Sequence, residues 1–545
     1  MRWPIKFWLF FSAVFIIAIV LRTWRLDIRP MHGDEAVHAY KFGQLLEHND
    51  YRYDPREFHG PTLNYFTLIS AWLSGRHTYA SLTESTLRIV PAFFGLLVVV
   101  MPLLLVRGLG RPAALVAAAL TAISPAFVFY SRDYIPEMLL VCFTFGLIAA
   151  GYQYAKSRKP IWAMLAGLFA GLCYATKETC IIAFGSMLLA LLVVSFWLRP
   201  IFTAEHAETA EKKNKLNSAC SAVSAVHLAL AAVAAMCVSA LFFSSFFKNP
   251  AGVLDSFRAY TTYFSRAGSN QLHIHPWFYY LNALVYSKAT TGPFWTEAFI
   301  VVLACLGIIL IVARKGISKL DTRLLDFLIS YTVTSLAVYS AIPYKTPWCL
   351  LSFYHGMILL SAVGVVAMIN LSSRLLTRIV IVLLLLTLAT DLGLQSISPG
   401  ISSEVDFSNP YVYAHPTADV LKVAQRIEEI SKAHPAINEM VVLIVCPEGD
   451  YWPLPWYLRS FKNVGWFNDV NEIKTPAPVV LAAAQLESEL ITKLYDLSPP
   501  GQKNLYVPLF DSDIELRTQV ELRGYVTKDL WDKWRSGVSE SVPAQ

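Results

Sequence analysis

Charge is scarce in this chain. Only 15% of its 545 residues are Asp, Glu, Lys or Arg, whereas 55% are hydrophobic and the mean hydropathy is +0.47. Such a composition excludes an ordinary soluble protein. Cysteine is sparse as well: eight residues, with no disulfide framework and no metal-type CxxC pair. Cys142, Cys173, Cys180, Cys220, Cys237, Cys305 and Cys349 fall in or beside apolar runs, and only Cys446 lies in the polar tail. The net charge of +6 comes from Lys and Arg flanking the apolar runs. No basic, aromatic-interleaved patch is present, so nucleic acid is not an expected partner. The chain also lacks internal repeats and sustained heptads. The first apolar run has no small-residue cleavage site before Arg22, so it reads as a retained helix and not as a signal peptide.

What the chain has is long apolar runs. About 20 residues at 1.5 Å rise cross a hydrocarbon core of about 30 Å. By that measure spans are expected at 4–22, 86–106, 113–131, 135–155, 161–177, 179–198, 224–247, 296–314, 324–343, 348–370 and 377–396, about eleven in all. Basic connections at Arg107/Arg111, Lys156/Arg158/Lys159, Arg199 with Lys212/Lys213/Lys215, Arg314/Lys315/Lys319/Arg323 and Arg374/Arg378 alternate with less basic ones. All of them face the cytoplasm if the N-terminus (Arg2, Lys6) does. The expected architecture is a mainly α polytopic membrane domain over 1–398, with an outer loop at 23–85 and a flexible cytoplasmic linker at 199–223. An extracytoplasmic α/β domain follows over 399–545, with a helix at 417–433, a buried strand at 440–446, further apolar runs at 478–483 and 504–510, and helical patterns at 485–496 and 527–535.

This topology gathers polar features at the outer membrane face. The richest is 27–65, which holds Asp34-Glu35, three histidines (His32, His38, His59) and many aromatics, ending near Tyr65. Ionisable groups near a membrane are costly to desolvate and are functional candidates. Asp34 can act as a general base toward a hydroxyl, or as the N-cap of a helix from Ala36 to Glu47; the two are compatible. In FYSRDYIPEMLL (129–140), Arg132 either binds a phosphate or carboxylate or pairs with Glu137; Asp133 and Glu137 share a helix face only if the helix begins before Pro136. Lys177 in TKE (176–178) and Lys345 in YKTPW (344–348) either snorkel or bind an anion. Together with His59 and Arg132 they suit an anionic lipid head group. His273 and His275 can meet on one face of a strand, but no third metal ligand is in register. The aromatics of 255–295 suit stacking on a sugar or lipid.

These residues resemble the GT-C superfamily of membrane glycosyltransferases, in particular the protein O-mannosyltransferase-like group (glycosyltransferase family 39) and the lipid A aminoarabinose transferases. GDEA (33–36) stands where those families carry an acidic motif in a large outer loop, with its Asp as the proposed base. HGPTLNYF (59–66), FYSRDYIPE (129–137), ATKE (175–178) and YKTPW are similar to further family segments in the same order. Over nearly its full length, through MHGDEAVHAYKFG, FHGPTLNYF, YVYAHPT and WPLPWYLR, the chain also resembles a prokaryotic family associated with flippase activity in archaeal-type N-glycosylation. It departs from its relatives in having Glu178 where many have glycine, and His59 where a lysine often stands.

The resemblance implies a GT-C-like fold and a polyprenyl-phosphate-sugar-dependent glycosyltransferase, acting with inversion on a donor presented from the outer leaflet. Asp34, with Glu35 and Glu137, would be catalytic, and Arg132, Lys177, Lys345 and His59 would bind the donor phosphate. His32, Tyr65, Asp133, Glu178 and Trp348 would contact substrate. No metal ligand set is implied, although the acidic groups can hold a divalent cation. The expected partners are the lipid-linked donor, membrane lipid and an acceptor that is a protein, a lipid or a glycan. Two other readings compete: a transporter or flippase factor for lipid-linked sugars, and a non-catalytic factor that binds glycans through the C-terminal domain. The absence of paired interrupted helices in matching halves counts against a transporter.

Overall fold

The computed structural model describes residues 4–56, 59–197, 210–269, 273–288, 293–401, 407–497 and 505–541. Among the described residues, seven helical stretches are long and apolar enough to cross a membrane: Ile5–Thr23, Glu84–Ile123, Glu137–Ser157, Ser224–Phe243, Thr322–Ala341, Pro347–Leu371 and Leu375–Ile397. Three shorter apolar helices, Pro160–Tyr174, Cys180–Ser195 and Ala298–Val312, lie among them. The expected segment 86–106 and the first part of 113–131 fall within one 40-residue stretch, Glu84–Ile123, broken at Gly110, where φ is 75°. The second expected segment also ends early. At Ser124 the chain leaves the helix, and a short helix, Pro125–Tyr130, starts afresh with Pro at its first position and the Ser124 hydroxyl as its cap.

Four elements frame the Asp34 end of the bundle: α1 (Ile5–Thr23), α2 (Gly33–His48), α3 (Thr62–Leu73) and α4 (Glu84–Val100). The apolar side chains of α1 point in all directions, and most lie exposed, as on a helix solvated by lipid. Pro347–Leu371 is the opposite case and is buried along nearly its whole length. Its neighbour Ala298–Val312 approaches it closely because glycines meet: a Cβ on Gly307 would lie 2.2 Å from the Leu360 carbonyl oxygen. Small residues permit this packing where no water drives helices together.

The linker expected at 199–223 falls partly outside the described residues, which exclude 198–209, and from Ala210 onward the backbone is already helical, continuing to Phe243. The C-terminal unit contains a mixed sheet. Strand Val442–Val445 pairs in parallel with both Val464–Phe467 and Val479–Ala483; Val520–Thr527 then pairs antiparallel with Val479–Ala483, Tyr506–Pro508 and Ile514–Arg517. Helices Asp419–Ser431 and Lys528–Ser541 cover one face through Val423, Ile427 and Leu530, and Glu487–Asp496 covers the other through Leu490 and Leu494. With both faces buried, the central strand reads as an unbroken apolar run and not as an alternation.

The sheet domain is docked on the membrane domain. Trp456 donates from Nε1 to Glu84 Oε1 (2.8 Å), Arg459 to the Leu82 carbonyl (2.8 Å), and Tyr457 OH accepts from the Met31 amide (2.8 Å). The WPLPWYLR segment is thus a clamp on the start of α4 and on the entry to α2.

Candidate active site

α2 begins with a capping box that the sequence places one step away. His32, not Asp34, is the N-cap: its Nδ1 accepts from the Asp34 amide (3.1 Å), and its own amide donates to Glu35 Oε2 (2.9 Å). The helix spans Gly33–His48, longer than the expected Ala36–Glu47. Because Nδ1 accepts, the proton sits on Nε2, which lies 2.9 Å from the Tyr413 carbonyl and donates to it.

Glu35 is wholly buried and fully engaged. Arg88 of α4 grips it bidentately (Nε to Oε1 and Nη2 to Oε2, both 2.7 Å), and the Tyr134 amide donates to Oε1 (2.7 Å). The remaining Arg88 protons go to the carbonyls of Leu26, Arg29 and Pro30. Burial pushes the Glu35 carboxyl up, but the charge and hydrogen bonds of Arg88 outweigh it and hold the group down at about 2. Its oxygens are committed to the frame.

Asp34, the next residue, is exposed, and among the described residues its carboxylate makes no hydrogen bond or ion pair. Its charge acts on His38, His273 and Tyr413. His38, one turn along α2, is buried and is held down to about 3, first by burial and then by the nearby His59. It therefore stays neutral beside Asp34. His59 stacks on His38 at 6.1 Å between ring centroids.

His59 belongs to a second cluster. Its Nδ1 lies 3.0 Å from Glu178 Oε2 and 2.8 Å from Tyr263 OH, and Tyr53 OH donates to Glu178 Oε1 (3.0 Å). Gly60 makes this meeting possible, since a Cβ there would strike the Ala175 carbonyl at 2.2 Å. Thr62 and Thr176 hydroxyls bond across the same seam at 2.8 Å. Burial raises the Glu178 carboxyl, but the His59 ring and hydrogen bonds bring it below its ordinary value. Beside it, Lys177 forms a buried ion pair with Glu137. The two line a small cavity with Trp348, Tyr339 and Cys349.

Other candidates serve the frame. Arg132 is turned inward and donates to the carbonyls of Leu21 (3.2 Å) and Arg25 (3.0 Å), so the Arg132–Glu137 pairing considered above gives way to Lys177–Glu137 and Arg29–Asp133. Asp133 and Glu137 do not share a helix face, because the helix starts at Glu137, after Pro136. Lys345 is also buried, and its ammonium donates to the carbonyls of His275 (3.0 Å) and Ile342. Tyr65 packs against Tyr51, Phe242 and Phe246 in an aromatic cluster.

The YVYAHPT segment, to which the sequence alone assigns no role, forms a strap beside the mouth. Residues 409–415 run from the last membrane helix toward the sheet domain. Tyr411 OH donates to buried Glu297 (2.5 Å), which also accepts from Ser124 Oγ (2.6 Å), the Ala126 amide (2.8 Å) and Tyr354 OH (2.6 Å). Tyr413 hydrogen-bonds through its hydroxyl with His273 Nδ1 and packs its ring 5.9 Å from Trp348. The His415 ring lies 4.6 Å from that of His32, tilted by 42°. Arg88 and Glu297 left a signal in the sequence: each is a charge inside or at the edge of an apolar run, where it needs a partner.

The described residues contain no group of three or more His, Cys, Asp or Glu able to hold a metal ion, and His273 Nδ1 is engaged by the Tyr413 hydroxyl. Glu35, Asp133, Glu137 and Glu178 are each already matched by Arg, Lys or His, leaving Asp34 as a lone candidate ligand for a divalent cation. No step is built on one.

A helical membrane bundle with a docked sheet domain and an acid-bearing mouth defines the class: an integral membrane protein with the fold of the GT-C glycosyltransferases. Residues 59–209 match the family model of dolichyl-phosphate-mannose-protein mannosyltransferases. This stretch includes His59, Arg132, Glu137, Lys177 and Glu178 but not Asp34. Among solved structures, the chain is similar to ArnT from Cupriavidus metallidurans bound to undecaprenyl phosphate, with 15% identity over 95% of this chain and 97% of that one and a TM-score of 0.59. It is also similar to the archaeal oligosaccharyltransferase AglB from Archaeoglobus fulgidus, in complex with an inhibitory peptide and a dolichol-phosphate (12% identity, 93% and 73% coverage, TM-score 0.54). No curated protein sequence matches the chain.

Proposed function

We propose that this protein is a glycosyltransferase that moves a sugar from a polyprenyl-phosphate donor to an acceptor hydroxyl at the outer face of the cell membrane, with the N-terminus cytoplasmic and the C-terminal domain extracytoplasmic. The observation that carries the reading is the contrast at the start of α2, where Glu35 is spent on Arg88 and the adjacent Asp34 is left free over a mouth of neutral histidines and aromatics. A carboxylate so placed takes the proton of the acceptor hydroxyl, whose oxygen attacks the anomeric carbon. The bond from that carbon to the phosphate oxygen breaks, the lipid phosphate leaves with the electron pair, and the anomeric configuration inverts.

The Lys177 ammonium and the His59 ring are the side chains best placed for the departing phosphate, since both act on His38, as Asp34 does. Glu137 and Glu178 hold them in place, and a preorganised charge of this kind stabilises developing negative charge without reorganising. Arg132 and Lys345, tied to carbonyls, shape the mouth. His32, Asp133 and Trp348 position its walls. The similar ArnT and AglB structures, which hold undecaprenyl phosphate and a dolichol-phosphate respectively, support a lipid-linked donor. An apolar cavity of about 990 Å³, bounded by Phe66, Ile69, Leu73, Ile89 and Phe93 and edged by Arg76, offers a lipid chain room beside α3 and α4.

The test is sugar release from radiolabelled polyprenyl-phosphate donors in proteoliposomes. Turnover by the wild type that disappears in Asp34→Asn is expected. Donor binding without turnover in either protein would instead favour a flippase-associated or glycan-binding factor.

A further inference from the structure

The outer flank of α2 carries a cavity of about 400 Å³ that the reaction above does not use. Its walls are two tyrosines at nearly right angles, Tyr40 and Tyr79, with ring centroids 6.1 Å apart and planes at 84°. Tyr79 is held in place on three sides. Its ring lies directly on Gly43, where a Cβ would come within 2.6 Å of it. Its amide donates to Glu47 Oε1 (2.6 Å), and its hydroxyl points at the Pro455 carbonyl (3.5 Å) of the docked domain. Tyr40 is 45% exposed, and Trp452 extends the aromatic surface at 6.3 Å. The rim is polar: Gln44, Glu47, His48 and Asp50.

Two ligand classes fit poorly. Carboxylates at the rim repel a phosphate, and the described residues gather no three-ligand metal group. A saccharide matches on both counts, because its C–H faces pack on aromatic rings while its hydroxyls pair with amide and carboxylate groups. The position matters as well. Tyr40, Gln44 and Glu47 lie on one stripe of the helix that carries Asp34 at its start, and Gln44 is ten residues on, about 15 Å at 1.5 Å per residue.

We infer that this cavity is a saccharide subsite, taking a sugar of the acceptor distal to the one that reacts at Asp34. The assignment of that sugar to an acceptor rests on the transferase reading, whereas the binding itself does not. The test is saturation-transfer NMR on the full chain in lipid nanodiscs, because maltoside detergents carry the ligand chemistry in question. The probes are linear trisaccharides of mannose, glucose, galactose and N-acetylglucosamine, with no donor present. At least one trisaccharide should bind, with affinity falling about three- to tenfold in Tyr40→Ala and again in Gln44→Ala, and retained in Tyr40→Phe. Binding by none of the four, or binding indifferent to Tyr40→Ala, would overturn the subsite. Binding lost in Asp34→Asn would place the sugar at the mouth instead and overturn it equally. Trisaccharide binding in a protein that turns over no donor would leave the subsite standing and remove the transferase reading.

Discussion

Asp34 and Glu35 are adjacent in the chain and occupy opposite environments. Glu35 points toward α4, where burial and Arg88 make it a structural fastener; Asp34 is exposed and, among the described residues, its carboxylate makes no hydrogen bond or ion pair. The helix imposes this division, because consecutive residues on an α-helix are rotated by about 100° and cannot face the same surroundings. The fastener and the proposed base are then separated by one peptide unit. Any rigid fixing of Glu35 fixes Asp34 as well, and a general base needs that rigidity.

The comparison is broken most sharply by exchanging the effects of the two residues. Asp34→Asn should reduce donor turnover about 10²–10⁴-fold while leaving thermal unfolding in nanodiscs unchanged. A large loss of unfolding temperature in that variant would mean that Asp34 also carries the fold. Arg88→Leu should act on the other side. Leaving Glu35 buried without its partner costs about 3–5 kcal/mol, read as a fall in unfolding temperature and in folded yield. Stability unaltered by Arg88→Leu would abolish the distinction drawn here.

Acidification sharpens it further. Glu35 is held at about 2 in the fold against an ordinary 4.5, so its contribution is complete above pH 4.5 and is lost as pH falls from there toward 2. Unfolding free energy should drop by a few kcal/mol across that window, and the drop should shrink in Glu35→Gln. Asp34→Asn should leave the slope as it is. The smallest effect belongs to the strap: Tyr413→Phe removes one hydroxyl contact to His273 and should cost about 0.5–1.5 kcal/mol, seen as a modest rise in KM for acceptor or donor.

The apolar runs, the acidic loop and the helix–strand alternation of the tail were legible because each is a local pattern. Asp34-Glu35 stood out for the same reason: two charges beside a membrane span. What stayed hidden was partnership. Glu35 and Arg88 are 53 positions apart, and Tyr411 and Glu297 are 114 apart, so no periodicity connects them. The cations in the SRDYIPE, TKE and YKTPW segments were visible, but whether each faced a ligand or a carbonyl depended on packing. Arg132 and Lys345 proved to be turned onto carbonyls, and Lys177 onto Glu137. The capping residue was also displaced, because a histidine is a rare cap and is easily passed over beside an aspartate.

The strap has a consequence for how the protein is made. Glu297 sits ahead of the helix Ala298–Val312, yet one of its four donors, Tyr411, is synthesised more than a hundred residues later. Tyr413 and the clamp at Trp456 and Arg459 arrive later still. Until translation has passed these residues, the mouth around Asp34 lacks part of its wall and the bundle lacks a latch at that rim. A chain in mid-insertion is therefore a scaffold without a finished workplace, and the strap and clamp complete it.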